Sequence, residues 1–158
     1  MRAFWNKQKK VSVPSSGEYK MSYDRPPVWD NVCAVIGDGP HLLRVIFTHG
    51  DVIYNPNRLP LSADLIAHEK VHMKQQNYND TYAALWWGKY LRDPAFRIEQ
   101  ETEAYGKQYD VACGILKDRN DRAKFLTQLS MSFSGPLYNK CIGQVEAMQL
   151  IRKYSNNK

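Results

Sequence analysis

Cysteine is scarce in this chain. Among 158 residues there are three, Cys33, Cys113 and Cys141, and no two form a Cys-x-x-Cys pair. An odd, scattered set argues against a disulfide framework and against a cysteine zinc cluster, and fits reduced thiols in a cytoplasmic setting. Long apolar runs are also missing: nothing approaches the roughly 18 residues that a membrane-spanning helix needs. The opening stretch from Met1 to Lys10 holds no apolar core of the secretory kind, so a cytoplasmic location is the expectation. Histidine is rare, with four in the chain, and any regular histidine spacing therefore carries weight.

What is present is ordinary for a folded domain. Hydrophobic residues make up 43% and charged residues 24%, which excludes disorder throughout. Net charge is +6, and the excess is uneven. Residues 1–20 carry Arg2, Lys7, Lys9, Lys10 and Lys20 against Glu18. Residues 1–27, interrupted by Pro14, Gly17, Pro26 and Pro27, read as a basic, irregular N-terminal arm. Such an arm is a solvated segment first, and a contact to nucleic acid through residues 1–20 second. No linker divides the remainder, so residues 28–158 form a single domain of the α+β class.

Three β-rich runs open that domain: Val32 to Ile36, Leu42 to Phe47 and Asp51 to Tyr54. The last two flank Thr48-His49-Gly50, as a β-hairpin would, and the first supplies a possible third strand. From Ser62 the pattern turns helical. Ser62 is a suitable N-cap and Asp64 sits near the positive end of the helix dipole. That helix is expected to run to about Tyr78. Others are expected over about 80–91, 94–117, 121–133 and 138–154, with Pro94 in a first turn and Ser134-Gly135-Pro136 as a break. The fold is therefore mostly helical, with a small N-terminal hairpin or three-stranded sheet.

The first long helix carries His68-Glu69-Lys70-Val71-His72, an HExxH sequence. Residues at i and i+4 stand one above the other on a helix face, so both imidazoles can reach one ion. Glu69 lies about 100° further around the helix and can face a water at the ion without ligating it. A carboxylate so placed takes a proton from the attacking water and returns it to the leaving amine. Chance would produce the pattern in only on the order of a few per thousand such chains, so the signal is specific. It calls for one zinc ion.

A catalytic zinc takes three protein ligands and keeps one position open. Glu99, Glu101 and Glu103 are the acidic candidates on the helix after Pro94. Glu101 shares a stripe with Ala104, Tyr105 and Gln108, and Ala104 permits close approach of the two helices, so Glu101 is the preferred third ligand. Tyr105, Tyr138 and His49 are candidates for stabilising charge on the substrate oxygen, and Gln76, four residues after His72, for supporting an imidazole. The run Leu85-Trp86-Trp87 with Tyr82 and Tyr90 reads as core at helical spacing.

HExxH followed by Glu101-Thr102-Glu103-Ala104 resembles the gluzincin branch of zinc metallopeptidases, especially the CaaX prenyl endopeptidases and the HtpX-like proteases. The likeness covers about residues 60–110. It implies a zincin-like fold, zinc on His68, His72 and Glu101, Glu69 as general base, and a peptide or protein substrate laid along the edge strand of the hairpin. Tyr105 stands where those families carry an aspartate behind the first histidine, and those relatives are membrane proteins while this chain has no apolar span. The expected activity is zinc-dependent peptide hydrolysis. The alternative is a zincin-like binding or structural protein without catalysis.

Overall fold

The computed structural model describes residues 19–156. Six helices and a three-stranded sheet make up the architecture. The sheet has strand β1 (Lys20–Ser22), β2 (Phe47–His49) and β3 (Val52–Tyr54), in the order β1-β3-β2. β2 and β3 are antiparallel, pairing Phe47 with Tyr54 and His49 with Val52. Gly50 takes a φ of 63° at the first position of their two-residue connection, the conformation a tight hairpin asks of glycine. A Cβ there would also come within 2.6 Å of the Asp80 carboxylate.

The expected hairpin is present, but two of the three expected strands differ. Val32 to Ile36 belongs to helix α1 (Trp29–Ile36). Its β-branched residues favour a strand, yet Trp29, Val32, Cys33 and Ile36 recur at i, i+3, i+4 and i+7, and all four pack on the core. Helical spacing outweighs residue preference here. The stretch before β2 begins as a 3₁₀ turn over Pro40–Arg44 with proline in its first turn, and the strand starts only at Phe47. The third strand comes instead from Lys20–Ser22, inside the segment read as an irregular arm, and it pairs parallel with β3. Lys20 is further tied to Asp51 by a 2.7 Å ion pair. The rest of the basic stretch, residues 1–18, lies outside the described residues.

The helices follow the sequence closely. α2 covers Ala63–Gln75 after Ser62 and ends earlier than expected, because Asn77 and Tyr78 both adopt positive φ. α3 (Asp80–Arg92) starts at Asn79, whose side chain accepts from the Tyr82 amide. α4 (Pro94–Ile115) starts at Asp93, which caps the Phe96 amide. α5 (Arg119–Phe133) is capped by Asp118, and α6 (Gln144–Tyr154) starts later than the expected residue 138, because Pro136–Tyr138 form a 3₁₀ turn and Asn139 and Lys140 adopt positive φ. The side-chain caps satisfy amides that open every helix unpaired.

The long α4 is the central support. It packs on α2, bringing Glu101 and Gln108 to the histidines, and on α6 where Gly106 lies against Tyr154. No helix among the described residues is long and apolar enough to cross a membrane.

Candidate metal centre

Two helices deliver the three residues. His68 and His72, one turn apart on α2, face Glu101 on α4, and all three are buried. Their Nε2 atoms lie 3.1 Å apart. Glu101 Oε2 is 3.4 Å from His68 Nε2, and Glu101 Oε1 is 3.5 Å from His72 Nε2. A tetrahedron with zinc–nitrogen arms of ~2.0–2.1 Å has edges of about 3.3 Å, so these spacings fit one ion. Among the described residues this is the single group of three or more histidine, cysteine or acidic side chains able to hold a metal. Three protein donors leave room for a fourth.

The hydrogen bonds behind the imidazoles decide where their lone pairs point. His68 Nδ1 is 3.0 Å from Gln108 Oε1, while Gln108 Nε2 donates to Asp64 Oδ2 at 2.9 Å. His72 Nδ1 is 2.8 Å from Gln75 Oε1, while Gln75 Nε2 donates to the Gln100 carbonyl and to Glu103 Oε2. Each amide nitrogen faces groups that only accept, so each amide oxygen must face the histidine. Both Nδ1 atoms therefore carry hydrogen, so a ring in its neutral form turns a bare Nε2 toward the centre. Glu101 Oε2 is buried there without a hydrogen-bond partner. With both rings neutral, three acceptor atoms converge there, and a cation or a proton is what such a set lacks.

Electrostatics agree with that geometry. Burial pulls the His72 pKa down, but the Glu101 carboxylate overrides it by its charge and hydrogen bond, and His72 is held up at about 9. Without an ion, a proton on His72 takes the cation's place. Glu101 is held well below the usual carboxylate range: burial opposes this, and the His72 charge with both imidazole hydrogen bonds prevails.

Glu69 is buried beside the centre and is not part of the metal-holding group. Its Oε2 accepts from Thr48 Oγ1 at 2.7 Å, which ties α2 to the edge strand. Burial pushes its carboxyl up, against the pull of both imidazoles and the Thr48 hydroxyl. All four side chains open on a cavity of about 510 Å³. Apolar groups such as Val32, Phe47, Trp86, Leu129 and Leu137 form most of its wall, with Arg44 and His41 among its few other ionisable groups.

The other expected residues separate. Glu99 is exposed, and Glu103 is half-buried and spent on Gln75. Tyr105 packs the edge of its ring on His68, with centroids 4.7 Å apart, and its hydroxyl lies 3.0 Å from that of Tyr138. Both tyrosines line the cavity, and burial together with the Glu101 charge pushes both hydroxyls far up, so they stay protonated. The group behind His68 is Gln108, not Tyr105.

Gln76 serves the hairpin and not an imidazole. It accepts from the Gly50 amide at 2.8 Å and donates to the Thr48 carbonyl at 3.1 Å. One side-chain amide thereby answers the two backbone groups that a neighbouring strand would engage, and Trp87 Nε1 adds a bond to the same carbonyl at 2.9 Å. β2 is an edge strand, but its Thr48–Gly50 end is already covered. His49 points elsewhere, with Nδ1 3.4 Å from Asp80 Oδ1, and is not among the cavity residues.

Sequence reasoning overlooked Gln75, Thr48 and the roles of Gln108 and Tyr90. Gln75 was within reach of helix spacing, since it stands three residues after His72 and seven after His68 on the same face. Gln108, seven residues after Glu101, was on the chosen stripe. Thr48 and Tyr90 come from other elements, and no spacing points to them. No family model matches this chain, and no curated protein or solved structure matches it either.

Proposed function

We propose that the chain is a zinc-dependent hydrolase acting on peptide bonds of a protein or peptide substrate. The observation that carries this reading is the meeting of three bare acceptor atoms with an anchored, non-ligating glutamate at the floor of one cavity. Zinc bound by His68, His72 and Glu101 would supply Lewis acidity, polarising a carbonyl and acidifying water.

The chain's own residues do the rest. Glu69, raised in pKa and held in place by Thr48, takes the proton of the attacking water and delivers it to the leaving amine. The Tyr105–Tyr138 hydroxyl pair keeps an O–H for the oxygen that gains charge, the kind of preset donor that lowers such barriers. The apolar walls limit water and suit an apolar substrate side chain.

Incubation with a mixed peptide library, read by mass spectrometry, tests the reading. The wild-type chain is expected to cut, and Glu69→Gln to lose about 10²–10⁴-fold of that rate while keeping its zinc. Undiminished cutting by Glu69→Gln refutes the mechanism. A chain that holds zinc and cuts nothing supports the binding or structural alternative.

A further inference from the structure

The aromatic stretch of α3 meets the metal centre twice: Trp86 packs against the His72 ring, with centroids 5.5 Å apart, and the Tyr90 hydroxyl reaches Glu101. Tyr90 Oη donates to Glu101 Oε1 at 2.5 Å, and both groups are buried. The other carboxylate oxygen, Oε2, is the one left without a partner. The carboxylate is thus divided: Oε1 accepts the Tyr90 hydroxyl, while Oε2 accepts no hydrogen bond and faces His68 Nε2 at 3.4 Å.

Tyr90 is in turn held by Arg97. This arginine is 1% exposed, one of the largest fully buried side chains. It meets no carboxylate among the described residues. Its Nε donates to the Tyr90 carbonyl and its Nη2 to the Leu91 carbonyl, each at 2.9 Å, and its guanidinium lies 5.3 Å from the Tyr90 ring centre. Those two carbonyls belong to the last turn of α3, where the helix leaves acceptors unpaired. The planar fork of arginine serves two of them together, which the single ammonium of lysine does less well. Asp93 and Pro94 close the same corner by starting α4 immediately after α3. Trp86 stacks on the Tyr90 ring, with centroids 4.8 Å apart. A buried cation without a carboxylate partner is costly to keep, and here it secures the one hydroxyl that reaches Glu101.

We infer that Tyr90, locked in place by Arg97, is a positioning residue that makes Glu101 a one-oxygen metal ligand by occupying Oε1 and leaving Oε2 for the ion. This rests on the metal reading above. One-oxygen ligation keeps the coordination number at three protein donors plus one open position, which a catalytic site requires. If both carboxylate oxygens bound, the open position would be lost or distorted.

Cobalt(II) provides the test, because its absorption reports coordination number directly and needs no substrate. The wild-type chain, Tyr90→Phe and Arg97→Lys are titrated with cobalt(II) and, in competition with a chromophoric chelator, with zinc(II). Tyr90→Phe is expected to bind either ion about 10–100-fold more weakly. Its cobalt spectrum should be weaker and shifted toward that of a higher coordination number, as the released Oε1 joins the ion. Arg97→Lys should fall between wild type and Tyr90→Phe. Because changes at Arg97 can unfold the chain, Tyr90→Phe decides the matter, with far-ultraviolet circular dichroism of the ion-free protein confirming an unchanged fold. Unchanged affinity in Tyr90→Phe overturns the inference. Weaker binding with the wild-type spectrum also overturns it, since packing and not ligation would then be lost. A wild-type chain that binds neither ion removes the metal reading itself, a result distinct from either.

Discussion

Replacing Gln108 with leucine probes how the site is aimed. Gln108 is buried, and its oxygen receives the His68 Nδ1 hydrogen at 3.0 Å while its nitrogen donates to Asp64 at 2.9 Å. Leucine keeps the volume and removes both bonds. Asp64 is only half-buried, so water can replace its lost donor at little cost. His68 has no such remedy at Nδ1, and an orphaned buried N–H costs about 1–3 kcal/mol.

The ring does have an escape. Its hydrogen can move to Nε2, which faces the unpartnered Glu101 Oε2 at 3.4 Å. The ion-free protein is therefore expected to lose only about 1 kcal/mol, which is about 2–4 °C in Tm for a chain of this size. Metal binding suffers more, because the ion must now displace that hydrogen. Affinity for zinc should fall about 10–100-fold, so the loaded protein loses more thermal stability than the ion-free one. Calorimetric unfolding with and without zinc, beside a chelator-competition titration, measures both quantities. Equal losses in Tm for the two forms, with affinity unchanged, would show that Gln108 merely fills space and would refute the reasoning.

Zinc loading should release a proton, since ion-free His72 is protonated up to about pH 9 and must be neutral to ligate. Affinity should consequently fall about tenfold for each pH unit below that value, and calorimetry in buffers of different ionisation heat measures the proton count; no release at pH 7.5 contradicts the prediction. The same raised pKa gives the ion-free fold a contribution fully present below the ordinary value of 6.5 and lost as pH rises through about 9, which urea unfolding across that window reads. Gln76→Leu should cost about 1–3 kcal/mol by stranding the Gly50 amide, yet leave zinc affinity near that of wild type; a collapse of affinity would put Gln76 behind His72 after all.

The readable parts of this molecule share one property, namely that helix periodicity alone relates their residues. His68, His72 and Glu101 lie on two helices whose facing stripes are written in the i, i+3, i+4 pattern. The unreadable parts arise where residues meet through tertiary packing. β1 is three residues long with no alternation to announce it, and α1 carries β-branched residues that resemble a strand until its core stripe is traced. Gln75 and Gln76 are adjacent in sequence, but about 100° of helix rotation sends one to His72 and the other to the hairpin. Trp86, Trp87 and Tyr90 pack in the core as their spacing indicates, whereas Leu85 and Tyr82 of the same run are exposed, and only the three-dimensional course of α3 brings the Tyr90 hydroxyl to Glu101. Arg97 stands in a charge-rich helical stretch and is almost wholly enclosed.

The most direct test of the account is the zinc content of the chain after equilibration with the ion and exhaustive dialysis, measured by elemental analysis beside His68→Ala and Glu101→Ala. The convergence of the three side chains predicts one zinc per wild-type chain and little or none in either variant. A folded wild-type chain that retains no zinc, or variants that retain as much as wild type, would contradict it.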